Sequence, residues 1–136
     1  SSPPLIAVYG SLRRGQRANN YLENESFNYV GQDFIKGTLF PVGWYPGIQL
    51  FGDTNVLVDV YEILDDLALV GIHYYEGYVP ENPQGSLFVP KEVKLVNSQK
   101  DAMCYEYNGR FGAAGSAIEH GDWARYLSER DSRQAS

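Results

Sequence analysis

The chain has 136 residues, 43% of them hydrophobic and 21% charged, which are the values of one globular domain able to bury a core without staples. A net charge of −6 and a sequence pI near 4.8 oppose binding to nucleic acid or anionic membranes, and no apolar run approaches the ~20 residues that span a bilayer. The single cysteine, Cys104, excludes an internal disulfide and a cysteine zinc cluster and fits a reducing, cytoplasmic compartment.

Ser1-Ser2-Pro3-Pro4 does not read as a signal peptide. Leu5 to Tyr9 then reads as a first strand, followed by a glycine turn and a short helix at Ala18 to Leu22. Tyr29 to Phe40 is rich in aromatic and β-branched residues but interrupted by Gly31 and Gly37, which predicts one bulged strand or two short ones. A turn from Pro41 to Gly47 leads to a short strand at Ile48 to Phe51. Val56 to Ile63 alternates as a further strand. Asp65 or Asp66 is a candidate N-cap for a helix reaching about Tyr75, with Leu67, Val70 and Tyr74 spaced to face inward and Gly77 to close it. After the loop Pro80 to Gly85, strands are expected at Leu87 to Val96 and Ala102 to Tyr107, and a short helix at Trp123 to Leu127. One domain over 1–136 is expected, of class α+β, with a flexible polar tail at 129–136.

The segment Ala7-Val8-Tyr9-Gly10-Ser11-Leu12-Arg13-Arg14-Gly15-Gln16 carries the most information. A strand that stops in a Gly-Ser turn leaves free backbone N–H groups at its carboxyl end, able to hold a carboxylate or a developing oxyanion. It is not a P-loop, because Gln16 and Arg17 stand where Lys and Ser/Thr belong. It is not a nucleophile elbow either, because Ser11 follows Gly10 directly and Arg13 replaces the closing glycine. The cluster Arg13, Arg14 and Arg17 reads either as a solvated helix start or as an anion site.

Tyr9-Gly10-Ser11-Leu12-Arg13-Arg14-Gly15 resembles the opening signature of the γ-glutamylcyclotransferase-like (AIG2-like) family. Three more segments resemble that family in the same order: Gly43-Trp44-Tyr45-Pro46-Gly47, Tyr75-Glu76-Gly77-Tyr78 with Ser86-Leu87-Phe88-Val89, and Ile118-Glu119-His120-Gly121-Asp122-Trp123. The resemblance runs from about Ile6 to Tyr126. It implies a small mixed-strand β-barrel flanked by a few short helices. It also implies cofactor-independent release of 5-oxoproline and a free amine from a γ-glutamyl compound. The family's catalytic glutamate falls on Glu76. The chain departs from the family's pattern at His73, and at Phe88 and Pro90, where a Tyr and an Arg are usual.

The residues themselves agree with this assignment. Glu76 lies among Tyr74, Tyr75 and Tyr78, and aromatic neighbours that exclude water raise a carboxyl's pKa toward the range a general acid/base needs. Backbone groups of Tyr9, Gly10, Ser11 and Leu12 are the expected substrate contacts, with Tyr78 as a candidate lining residue. Asp122 reads as a helix cap and Trp123 as a core residue. His73 and His120 are the only histidines and lie far apart, so no metal site is expected, and the reaction that the resemblance implies calls for no cofactor. The expected partner is a small γ-glutamyl molecule. A non-catalytic module binding an amino-acid-like ligand in the same pocket is the alternative reading, and a tyrosine-rich interaction surface is a third. Oligomeric state is not legible from the sequence.

Overall fold

The apolar run Leu5-Ile6-Ala7-Val8 has no polar face, and its fate in the fold explains why. The computed structural model describes residues 3–109 and 115–135. In it five strands form one sheet in the order β2-β3-β1-β5-β4. These are β1 (Leu5–Val8), β2 (Phe27–Pro41), β3 (Pro46–Ile63), β4 (Phe88–Lys94) and β5 (Asp101–Tyr107). β1 is the central strand, antiparallel to β3 on one side and parallel to β5 on the other. A strand covered on both faces has no use for alternation, and Ile6, Ala7 and Val8 are all buried.

β2 and β3 form one long hairpin, closed where the Val42 N–H donates to the Tyr45 carbonyl at 2.9 Å. Its register shifts at Tyr29/Gly31 and at Gly37/Thr38, the two breaks that the glycines of β2 predict. The expected pair of strands at Ile48 to Phe51 and Val56 to Ile63 is a single strand. Gly52, at φ 91°, takes up the irregularity within it instead of ending it.

Among the described residues two α-helices accompany the sheet, α1 (Leu69–Glu76) and α2 (Trp123–Ala135). The Asp65 carboxylate accepts from the Leu67 N–H at 3.0 Å and caps a 3₁₀ turn at Asp66–Ala68 that runs into α1. The expected helix at Ala18 to Leu22 is likewise a short 3₁₀ turn, Asn19–Tyr21. The core joins the sheet to Ile72 of α1 and to Trp123, both 1% exposed.

The structure corrects several expectations. The sheet is open, so the barrel is not closed by a ladder. β2 and β4 remain edges, and the region after β4 meets β2 through the Val96 N–H on the Phe34 carbonyl and through Asp33, whose carboxylate accepts from Asn97 and Ser98. The face of α1 is also reversed. Leu67, Val70 and Tyr74 are 78%, 65% and 87% exposed, whereas Ile72 is buried with Leu69 and Tyr75 packed beside it. Apolar residues surround this short segment, so two overlapping stripes share the three- and four-residue spacing, and the tertiary contacts select the other one. Finally, α2 passes the expected end at Leu127 and continues to Ala135. No Gly or Pro interrupts it, and the Arg125 guanidinium pairs with Glu129 one turn on at 3.1 Å.

Candidate active site

The carboxyl end of β1 turns sharply. The Gly10 carbonyl accepts from the Arg13 N–H at 3.0 Å and the Ser11 carbonyl from the Ala18 N–H at 2.9 Å. The N–H groups of Gly10, Ser11 and Leu12 donate to no acceptor among the described residues. Gly10 rests against the second turn. A Cβ there would stand 2.5 Å from Pro46 Cγ, so the first motif is glycine because the Tyr-Pro-Gly motif packs on it.

The arginines that follow do not form one patch. Arg13 is buried, its Nη1 donating to Asp122 Oδ1 at 2.9 Å and its Nε lying 3.6 Å from Asp59 Oδ2. Asp59 also accepts the Arg14 N–H at 2.8 Å, so the turn is clamped from behind by β3 and by the start of α2. The Arg14 and Arg17 guanidinium groups lie over the rings of Tyr29 and Trp44, at 4.4 and 4.0 Å from the centroids. Asp122 has the expected capping role as well, accepting the Arg125 N–H at 3.2 Å.

Glu76 is the last residue of α1. Gly77 closes the helix at φ 71°, a left-handed conformation in which glycine is the unstrained choice. The Gly77 carbonyl then accepts the Leu87 N–H at 3.1 Å, and the buried Ser86 hydroxyl holds the intervening loop by donating to the Asn82 carbonyl at 2.9 Å and accepting the Val79 N–H at 2.8 Å. The Glu76 carboxyl has no hydrogen-bond partner among the described residues. Burial lifts its pKa from 4.5 to about 8, so the acid form predominates at neutral pH.

Glu76 and the Gly-Ser turn share one cavity of about 110 Å³. Tyr9, Gly10, Ser11, Leu12 and Glu76 all line it, so five of the six site residues expected from the sequence come together. Tyr78, the sixth, is not among the lining residues; its ring packs edge-on to His73, with centroids 5.0 Å apart. The Tyr9 hydroxyl is spent on the fold, donating to the Tyr105 carbonyl at 2.7 Å and accepting from the Ile48 N–H at 3.3 Å.

The sequence reading missed Trp44, Tyr45, Tyr75, Leu87, Phe88 and Tyr105 as lining residues. Trp44, Tyr45, Tyr75, Leu87 and Phe88 lie inside the quoted motifs, which was the available signal. Tyr105 carries none, since only the pairing of β1 with β5 brings it there. Its hydroxyl shares a 2.6 Å hydrogen bond with His73 Nδ1, and burial holds the His73 pKa below its ordinary value. Of the two departures on β4, Phe88 faces the cavity, while Pro90 lies on the edge strand along a separate shallow groove. Among the described residues no three His, Cys, Asp or Glu side chains converge as metal ligands would.

The family described as Gamma-glutamyl cyclotransferase, AIG2-like, matches residues 6–125. Among solved structures, an uncharacterized protein of Pyrococcus horikoshii is 24% identical, with 95% of this chain and 97% of that one covered and a TM-score of 0.71. The protein ytfP of Escherichia coli is 25% identical over 90% of this chain and 98% of its own, with a TM-score of 0.63. An AIG2-like protein of Mus musculus is 19% identical over 90% and 89%, also with a TM-score of 0.63. No curated protein matches the chain.

Proposed function

We propose, for a chain that belongs to the gamma-glutamyl cyclotransferase, AIG2-like family, that it converts a γ-glutamyl compound into 5-oxoproline and a free amine or amino acid, with Glu76 as general acid/base. The observation that carries the reading is the cavity in which an unpartnered carboxyl of raised pKa shares the wall with three unpartnered backbone N–H groups. The first suits proton traffic near neutral pH, and the second suits a developing oxyanion.

In this mechanism the substrate's α-ammonium gives a proton to the Glu76 carboxylate, and the freed amine attacks its own side-chain carbonyl. The N–H groups of Gly10, Ser11 and Leu12 receive the tetrahedral oxyanion or the substrate α-carboxylate. Glu76 then protonates the leaving nitrogen as the C–N bond breaks and recovers the proton that the new lactam nitrogen sheds. The departing amine takes up that proton and leaves as an ammonium, which restores the carboxylate. The nucleophile is tethered to its target, so holding one folded conformer removes much of the barrier; oriented intramolecular reactions reach effective molarities of ~10⁵–10⁸ M. The steps require no cofactor.

A second reading, ligand binding without turnover, draws on Phe88, whose ring offers the cavity no hydroxyl. Mass spectrometry separates the two. The parent protein and Glu76→Gln are incubated with γ-glutamyl amines and γ-glutamyl dipeptides, and 5-oxoproline is measured. Product from the parent alone supports the mechanism. Product from both removes Glu76 as the base, and product from neither folded protein favours the binding module.

A further inference from the structure

Of the residues that line the cavity, Trp44 is the exposed one, at 56%, which marks it as the side facing solvent. The Arg17 guanidinium lies over the Trp44 ring at 4.0 Å from its centroid, and among the described residues it makes no ion pair. The two neighbouring arginines are differently placed. Arg13 is turned into the protein against Asp59 and Asp122, and Arg14 lies on Tyr29. A cation stacked on an aromatic face keeps its N–H edge free, because the ring interacts with the plane of the guanidinium. The fork that recognises carboxylates therefore remains available at the mouth.

If the site performs the cyclotransferase reaction proposed above, the γ-glutamyl half must lie deep, between Glu76 and the Gly-Ser turn. The half that projects past Trp44 is the leaving group. From this geometry we infer that Arg17, held on Trp44, is a specificity determinant that selects leaving groups bearing a carboxylate over neutral or cationic ones. A leaving amino acid or peptide presents that carboxylate. A leaving diamine or polyamine presents a second ammonium, which Arg17 repels. The net charge of −6 makes a local cation the more consequential, since the field of the whole chain disfavours an anionic substrate.

The test compares γ-glutamyl-alanine with γ-glutamyl-ethylamide, which differ by the carboxylate alone, in the parent protein, Arg17→Ala and Arg17→Glu. The quantity read is the ratio of the two kcat/KM values. Arg17→Ala should lower the ratio about tenfold and Arg17→Glu further, and added salt should lower the parent's ratio. Arg17 is exposed, so both variants are expected to fold. An unchanged ratio overturns the inference, whether both substrates slow together or neither does; a joint fall would place Arg17 on the γ-glutamyl half. Turnover of neither compound by the parent is the failure of the cyclotransferase reading itself, and the inference falls with it.

Discussion

The Ser11 hydroxyl and the Tyr75 hydroxyl are hydrogen-bonded at 2.7 Å, which ties the turn at the end of β1 to the residue immediately before Glu76. The groups proposed to hold charge and to move protons are thus joined by a side-chain bridge across 64 residues of sequence. Tyr75 is in turn packed against Tyr21, with ring centroids 4.9 Å apart.

Tyr75→Phe keeps the ring packing and removes the bridge. It is expected to lower stability by about 1 kcal/mol, the net worth of one hydrogen bond, and to lower kcat/KM about tenfold because the two halves of the site lose their relative position. Thermal melting and steady-state kinetics on one preparation check both parts. Full activity in a destabilised variant would make the bridge a matter of folding alone.

The pH profile follows from Glu76. The mechanism starts from the carboxylate, and burial puts that group's pKa at about 8. kcat/KM should therefore climb with unit slope in log units below that value and bend near it. Glu76→Gln should lose roughly 10²–10⁴-fold and retain no such bend. A rate that is flat between pH 6 and about 8 would assign the base elsewhere.

The same group affects stability in a direction set by linkage. Its folded-state pKa lies above the unfolded value near 4.5, so from there up to about 8 the folded state holds more protons than the unfolded one. The fold is then at its best below pH 4.5 with respect to this group and loses stability as pH rises through about 8, by roughly 3 kcal/mol already at pH 7. Glu76→Gln should remove that loss and be more resistant to urea than the parent at pH 8, with the gap closing toward pH 5. A variant weaker than the parent at pH 8 would contradict the assignment.

Arg13→Met should cost about 3–5 kcal/mol, because it leaves Asp59, only 1% exposed, as an uncompensated buried charge. Asp59 Oδ1 already has no partner among the described residues. Adding Asp59→Leu should restore most of the loss, as replacing a whole buried pair by apolar groups often does. Urea midpoints of the single and double variants decide it.

What the sequence disclosed depended on whether the signal was local. Gly31 and Gly37 mark the bulges of β2, Gly77 closes α1, and Asp65 caps the turn before it, because each of these is decided by a residue's own backbone preferences. The inward face of α1 was not legible, since Leu67, Leu69, Val70, Ile72 and Tyr74 leave its periodicity ambiguous and packing makes the choice. At the site, Glu76 and the Gly-Ser turn stood out because their residue types are the ones the proposed chemistry needs. Tyr105 did not, because its position depends on β5 lying beside β1, a pairing with no short-range signature. Arg13 misled for a related reason: its partners are Asp59 and Asp122, far along the chain.

The bond from Arg13 to Asp122 spans 109 residues, and β1 is flanked by β3 and β5. During synthesis, therefore, β1 emerges before either neighbour, and the clamp on the turn that follows it is completed only when the start of α2 joins Asp59 of β3. The segment richest in candidate site residues is thus made before every element that holds it, and among the last to be fixed. A chain arrested before Asp122 would hold the turn through Asp59 alone, with the Arg13 guanidinium lacking its second carboxylate.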